Sequence, residues 1–264
     1  MKNILVPIGA TESASNTLQY AINFAADIKD ATVFVFRAYS SPTKAGTIIN
    51  IDAIVERETN LYIKTIIKTV DLKNVTIKMV AAKGTILDSV AAIHKEIRID
   101  LIVVGAKSNS IKEELFLGKT AGSLVKKSNL PVFTVPDGYK YKTICNVMLA
   151  SKSGIVESKT ALHPLKFIVK RFVSSLDILL VKTPSYTEAD MVLNSDLEDI
   201  QTSFTTSENA TTYQGVLEHI NSINPDVLCV FRRNRGFFKK LWEKDTILKK
   251  EYFVNVPLLV LQGK

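Results

Sequence analysis

Short apolar runs alternate along this chain with longer segments that carry a helical stripe. Ile4–Pro7 is apolar without polar alternation, the pattern of a strand covered on both faces. Leu18, Ala21, Ile22, Ala25 and Ile28 then fall on one helical stripe. Thr32–Ala38 is β-branched and aromatic and predicts a second strand. Ile51–Val70 predicts a long helix, Val75–Ala81 a strand, and Ile86, Leu87, Val90, Ala91 and Ile97 a further helix. Leu101–Val104 is the next buried strand, Thr120–Lys127 the next helix and Val132–Val135 the last strand of the series. Strands and helices that alternate with short loops imply a parallel sheet with helices on both faces.

The pattern occurs twice. Asp100-Leu-Ile-Val-Val reaches Pro131-Val-Phe-Thr-Val, and Asp226-Val-Leu-Cys-Val reaches Pro257-Leu-Leu-Val-Leu over the same interval. The openings correspond as well, from Asn3-Ile-Leu-Val to Asn146-Val-Met-Leu. Two copies of one domain, residues 1–137 and 138–264, account for the length of 264 residues. The second copy is shorter between its opening strand and Asp226. The loss falls where the long second helix belongs, so Asp190–Leu197 is expected as its remnant and Gln201–Thr212 as partly loop.

Composition narrows the class. With 46% hydrophobic and 23% charged residues the chain can build a sizeable core. No apolar run approaches the roughly 20 residues of a membrane helix. The start enters a strand too soon for a signal peptide, so no membrane and a cytoplasmic address are expected. Cys145 and Cys229 are too few for a disulfide scaffold; they are expected on adjacent strands of the second copy, as small hydrophobes. His94, His163 and His219 are scattered, which predicts no metal cluster. The net charge of +8 is spread over both copies and reads as a solvated surface. A nucleic-acid groove needs a basic stripe with interleaved aromatics. Only Arg232–Lys240 comes near, and it reads either as a docking or anion loop or as a solvated loop whose Phe237 and Phe238, with Trp242, pack inward. Nucleic acid is not expected as a partner.

Ile4-Leu-Val-Pro-Ile, Asp100-Leu-Ile-Val-Val-Gly, the position of Gly118 and the closing Pro131-Val-Phe-Thr-Val resemble the universal stress protein family, and the whole chain resembles a tandem member with a degenerate second copy. The resemblance implies two flavodoxin-like (Rossmann-like) α/β domains, each a five-stranded parallel sheet of order 3-2-1-4-5 with helices on both faces. It also implies packing of the copies as in the family's homodimers. Val132–Val135 and Leu258–Leu261 would then be apolar edges suited to antiparallel pairing.

One branch of the family binds ATP or AMP through glycine, two residues, glycine, nine residues, then glycine and Ser or Thr. In an open α/β sheet such a ligand lies beyond the strand C-termini where the strand order reverses. Glycine lets backbone approach phosphate, and helix N-terminal amides hold it. By this resemblance the cofactor-binding positions are Pro7, Ile8 and Gly9 after strand 1, Ala38 after strand 2, Gly105, Lys107 and Ser108 after strand 4, and Gly118, Lys119 and Thr120 at the next helix. Ser108 replaces the second glycine, Lys119 stands where Ser or Thr belongs, and Gly9 replaces the Asp that nucleotide binders place after strand 1. Mg would be needed only with ATP. Gly118-Lys119-Thr120 is not a P-loop, because Glu113 stands where its first glycine belongs.

The second copy departs further, with Phe231, Asn234 and Lys244-Asp245-Thr246 at the glycine positions and Lys152 in place of Gly9. The resemblance implies a stress-response protein whose first copy senses a nucleotide or regulates a partner. A nucleotide-free interaction scaffold is the alternative. Turnover, such as slow ATP hydrolysis, lacks a visible base or metal carboxylate, and no catalytic residue is assigned.

Overall fold

A computed structural model describes residues 1–9, 13–40, 51–106, 118–158, 160–232 and 256–262. The first half contains β1 (Asn3–Pro7), α1 (Ser13–Ile28), β2 (Thr32–Tyr39), α2 (Ile51–Ile67), β3 (Thr76–Lys83), α3 (Ile86–Ile97), β4 (Leu101–Gly105), α4 (Gly118–Lys127) and β5 (Val132–Val135). The second half contains β6 (Asn146–Ser151), α5 (His163–Phe172), β7 (Ser175–Lys182), a 3-10 turn (Glu188–Met191), α6 (Ser195–Glu198), β8 (Ser203–Glu208), α7 (Thr212–Ile223), β9 (Val227–Arg232) and β10 (Leu258–Gln262). The ten strands form one sheet in the order β3-β2-β1-β4-β5-β10-β9-β6-β7-β8. Each half therefore runs 3-2-1-4-5 with parallel neighbours.

The halves join where β5 and β10 pair antiparallel, with Phe133 opposite Leu259. Both strands are almost wholly buried, and each covers the other's unpaired backbone groups. The edge pairing expected from the sequence is thus present.

Strand side chains divide between two cores. Ile4, Val6, Val33, Val35, Leu101 and Val103 face the layer that holds α1 and α5, with Leu18, Ile22, Leu165 and Ile168. Leu5, Phe34, Phe36, Ile102 and Val104 face the opposite layer, which holds α3, α4 and α7, with Val90, Leu124 and Val216. Helices on both faces are the reason the strands read as unbroken apolar runs. Local signals start two of these helices: Thr85 and Thr211 accept N–H bonds from Asp88 and Gln214 at their N-caps.

The aspartates that open the repeated segments prove to be anchors. Asp100 accepts the backbone N–H groups of Lys2 and Asn3 at 2.6 and 2.9 Å. Asp226 accepts those of Cys145 and Asn146 at 2.7 and 2.9 Å. Each ties the start of its half's first strand to the strand beside it.

Some expectations change. Asp190–Leu197 is not a helix remnant of one piece but a 3-10 turn followed by the one-turn α6. Within Gln201–Thr212 lies β8, a full edge strand whose polar sequence Ser203-Phe-Thr-Thr-Ser-Glu hid it, because an outer edge with an exposed face does not need an apolar run. Cys145 precedes β6 rather than lying on it and is exposed; Cys229 is buried in β9. The helix expected from Thr120 begins at Gly118. Except for Arg232, the basic loop to Lys240 lies outside the described residues, as does Trp242. Among the described residues no helix is long and apolar enough to cross a membrane.

Candidate functional site

In the first half the strand order reverses between β1 and β4, and an open α/β sheet places its ligand crevice beyond the carboxyl ends of such strands. These strands are direct neighbours, with Ile4 opposite Leu101 and Leu5 opposite Ile102. Their ends bring Pro7, Ile8 and Gly9 to the same edge of the sheet as Gly105, and β2 adds Ala38. A parallel crossover sends α4 back along the sheet, so its amino end at Gly118 starts from that edge as well. Pro7 and Ile8 are buried, Ala38 and Gly105 half-buried, and Gly9 and Thr120 exposed. Lys107 and Ser108 lie outside the described residues, as does the Lys119 side chain.

Backbone bonds extend the strands to this edge. Ile8 N–H donates to the Phe36 carbonyl at 2.8 Å, and Ala106 N–H to the Val135 carbonyl at 2.8 Å. Gly105 has a structural duty that its place in the motif does not reveal. A Cβ there would stand 2.5 Å from Thr17 Oγ1, so the glycine admits the first turns of α1 against β4. Thr17 is buried and its hydroxyl donates to the Ser13 carbonyl at 3.1 Å.

Three residues at this edge escape the motif. Tyr62 on α2 donates its hydroxyl to the Gly9 carbonyl at 2.8 Å. The Arg37 guanidinium lies over the Tyr62 ring, 3.9 Å from its centre. One Arg37 nitrogen, Nη1, is shielded from solvent and has no hydrogen-bond partner, as is the Asn16 amide nitrogen in the first turn of α1. The sequence carries one signal for this group: Arg37 interrupts the otherwise apolar and aromatic run Thr32-Val-Phe-Val-Phe-Arg-Ala-Tyr.

The matching edge of the second half is filled by its own chain. Gly154 N–H donates to the Asp190 carbonyl at 2.8 Å, and Asn194 N–H to the Gly154 carbonyl at 3.0 Å. A Cβ on Gly154 would stand 2.5 Å from the Val192 carbonyl oxygen. Burial raises the Asp190 pKa, but hydrogen bonds from Ser153 and Thr187, with the charge of Lys152, outweigh it and hold the carboxyl below its ordinary value. Phe231, at the first glycine position, is buried. Arg232 reaches out of this half altogether: its Nη1 donates to the carbonyls of Lys126 and Ser128 at 2.9 and 2.8 Å, at the carboxyl end of α4.

A family model described as the universal stress protein family matches residues 1–136. The chain belongs to the universal stress protein family. Solved structures extend the likeness of fold to the whole chain. A universal stress protein from Archaeoglobus fulgidus is 16% identical with a TM-score of 0.69, and the match covers 98% of each chain. A putative universal stress protein from Pseudomonas aeruginosa is 11% identical with a TM-score of 0.58, covering 100% of this chain and 94% of that one. No curated protein matches. Universal stress protein membership suggests a role in stress response. This edge holds the amino end of α4 and the Arg37 cation, while Gly9 supplies no carboxylate. Among the described residues no three His, Cys, Asp or Glu gather as a metal site.

Proposed function

We propose that this chain is a cytoplasmic tandem stress protein, with domains at 1–137 and 138–264, whose first domain alone takes a phosphate-bearing nucleotide. The ligand is ATP or AMP, with Mg accompanying ATP through its phosphates, and it serves sensing or regulation of a protein partner rather than turnover. The observation that carries this reading is the asymmetry between the two sheet edges. In the first half the edge is bordered by Gly9, Gly105 and the amino end of α4. In the second, residues 190–194 are bonded across Gly154 and Phe231 is buried. Without an acceptor at Gly9, the pocket reads phosphate better than base, at a cost of roughly 0.5–1.5 kcal/mol in affinity per lost bond. Gly105, Lys107, Ser108, Gly118, Lys119 and Thr120 would hold the phosphates, and Pro7, Ile8, Gly9 and Ala38 the other end.

The decisive experiment compares ATP, AMP and GTP as stabilisers of the native chain and of Gly118→Val. The expected result is stabilisation by ATP and GTP to similar extents, lost in the variant; survival of the shift in Gly118→Val refutes the placement. The second reading, a nucleotide-free scaffold, draws on Gly9 and on the capture of its carbonyl by Tyr62. It is upheld if no nucleotide stabilises the protein and mass spectrometry finds none in freshly purified samples.

A further inference from the structure

We propose that Arg37 is an anion-binding residue: it receives a phosphate group at the carboxyl end of β1 and β2, outside the glycine motif. The Arg37 guanidinium is held in place before any ligand arrives. Its strand fixes the backbone, with Arg37 opposite Ala81 and one residue beyond the Pro7–Phe36 pair. The Tyr62 ring supports its plane at 3.9 Å, and the Tyr62 hydroxyl is itself fastened to the Gly9 carbonyl. This chain of contacts aligns the cation with the end of β1.

The same cation is left unsatisfied. Its Nη1 is removed from water without a hydrogen bond, and among the described residues no carboxylate forms an ion pair with it. A shielded N–H group without an acceptor is unfavourable, and proteins ordinarily pair it. The Asn16 amide nitrogen, in the turn of α1 that follows β1, is a second shielded donor without an acceptor. Among the described residues, this end of β1 and β2 carries two shielded donors without acceptors, Arg37 Nη1 and the Asn16 amide nitrogen. That imbalance calls for a ligand group rich in acceptors and negative in charge. A guanidinium held over an aromatic ring keeps its N–H donors for such a group, and arginine is suited to phosphate by its fork of donors.

This assignment goes beyond the nucleotide reading and uses none of its motif residues, so the two fail separately. The test titrates inorganic phosphate into the full chain at low salt by calorimetry, with Arg37→Met and Arg37→Lys alongside. Methionine keeps an apolar stem against Tyr62 and removes the charge. The expected result is saturable phosphate binding in the native chain, weaker by roughly tenfold or more in Arg37→Met, because a charged hydrogen bond is lost. Arg37→Lys is expected to fall between them. A second readout keeps the test sound if binding is weak: without phosphate, Arg37→Met is expected to melt above the native chain, since a shielded N–H group without an acceptor has gone. Equal phosphate affinity in Arg37→Met, or no phosphate binding by the native chain, overturns the assignment. So does an Arg37→Met that melts lower and still binds phosphate, which would make Arg37 a packing residue. Gly118→Val, which tests the nucleotide reading, is expected to leave the Arg37-dependent phosphate response intact.

Discussion

Replacing Gly154 with alanine tests whether the second half has closed its own crevice. The added Cβ would lie 2.5 Å from the Val192 carbonyl oxygen, 2.9 Å from Leu193 Cα and 3.0 Å from the Val192 carbonyl carbon. All three are backbone atoms, so no rotamer change relieves the clash. Restoring ordinary contact requires residues 190–194 to withdraw by somewhat under about 1 Å. That movement stretches two bonds, Gly154 N–H to the Asp190 carbonyl at 2.8 Å and Asn194 N–H to the Gly154 carbonyl at 3.0 Å. Each is worth about 1 kcal/mol net, and the pair, weakened rather than broken, loses about 1 kcal/mol together; overpacking of this kind costs about 1–3 kcal/mol, so a loss of roughly 2–4 kcal/mol is expected. In a chain of this size that lowers the melting temperature by roughly 4–16 °C. Calorimetry or urea unfolding followed by circular dichroism measures it. Gly138→Ala is the control: nothing lies within 4 Å of its added Cβ, and only its φ of +72° is penalised, by about 1 kcal/mol. If Gly154→Ala proves no more harmful than the control, residues 190–194 are not locked across the crevice.

Other expectations follow from single features. Val173 ends α5 at φ +54° and is 89% exposed, so Val173→Gly is expected to stabilise by about 1 kcal/mol, visible as a higher melting temperature. Burial raises the Asp226 pKa, but bonds from Lys142, Asn146 and Cys145 outweigh it and leave the carboxyl below its usual 3.8. The unfolded chain therefore takes up that proton first; the stabilisation is complete above the unfolded value and fades as pH falls through the folded one. Asp226→Asn is expected to be less stable at pH 7, with the gap to the native chain narrowing from about pH 5 downward in a pH series of urea melts. Separately expressed residues 1–137 would leave the apolar β5 edge uncovered, and sedimentation is expected to show self-association.

Much of the architecture was legible because buried parallel strands announce themselves. β1, β2, β4 and β5 are apolar on both faces, and the repeat of Asp100 and Pro131 in Asp226 and Pro257 gave the second sheet half its register. β8 was harder to see, since an outer strand with one solvated face loses that signature. The crevice was legible only in outline. Gly105 stood out for its place in a motif, yet its space is filled by Thr17, and that contact between β4 and α1 joins residues far apart in sequence. Arg37 and Tyr62 carried no motif at all. Their meaning rests on a stacking distance and a missing partner, which only a folded chain exhibits.

Helix α4 gives the altered second half a mechanical part to play. Its ten residues span about 15 Å, with one end at the first half's crevice and the other beside Lys126–Ser128, where Arg232 grips two carbonyls. A helix of this length is stiff, so it behaves as a strut clamped at its far end by the opposite half. Anything that tugs on the Gly118 end must either strain the Arg232 clamp or carry β9 with it. The second half thereby sets the rest position of the first half's sheet edge and receives any displacement that arises there.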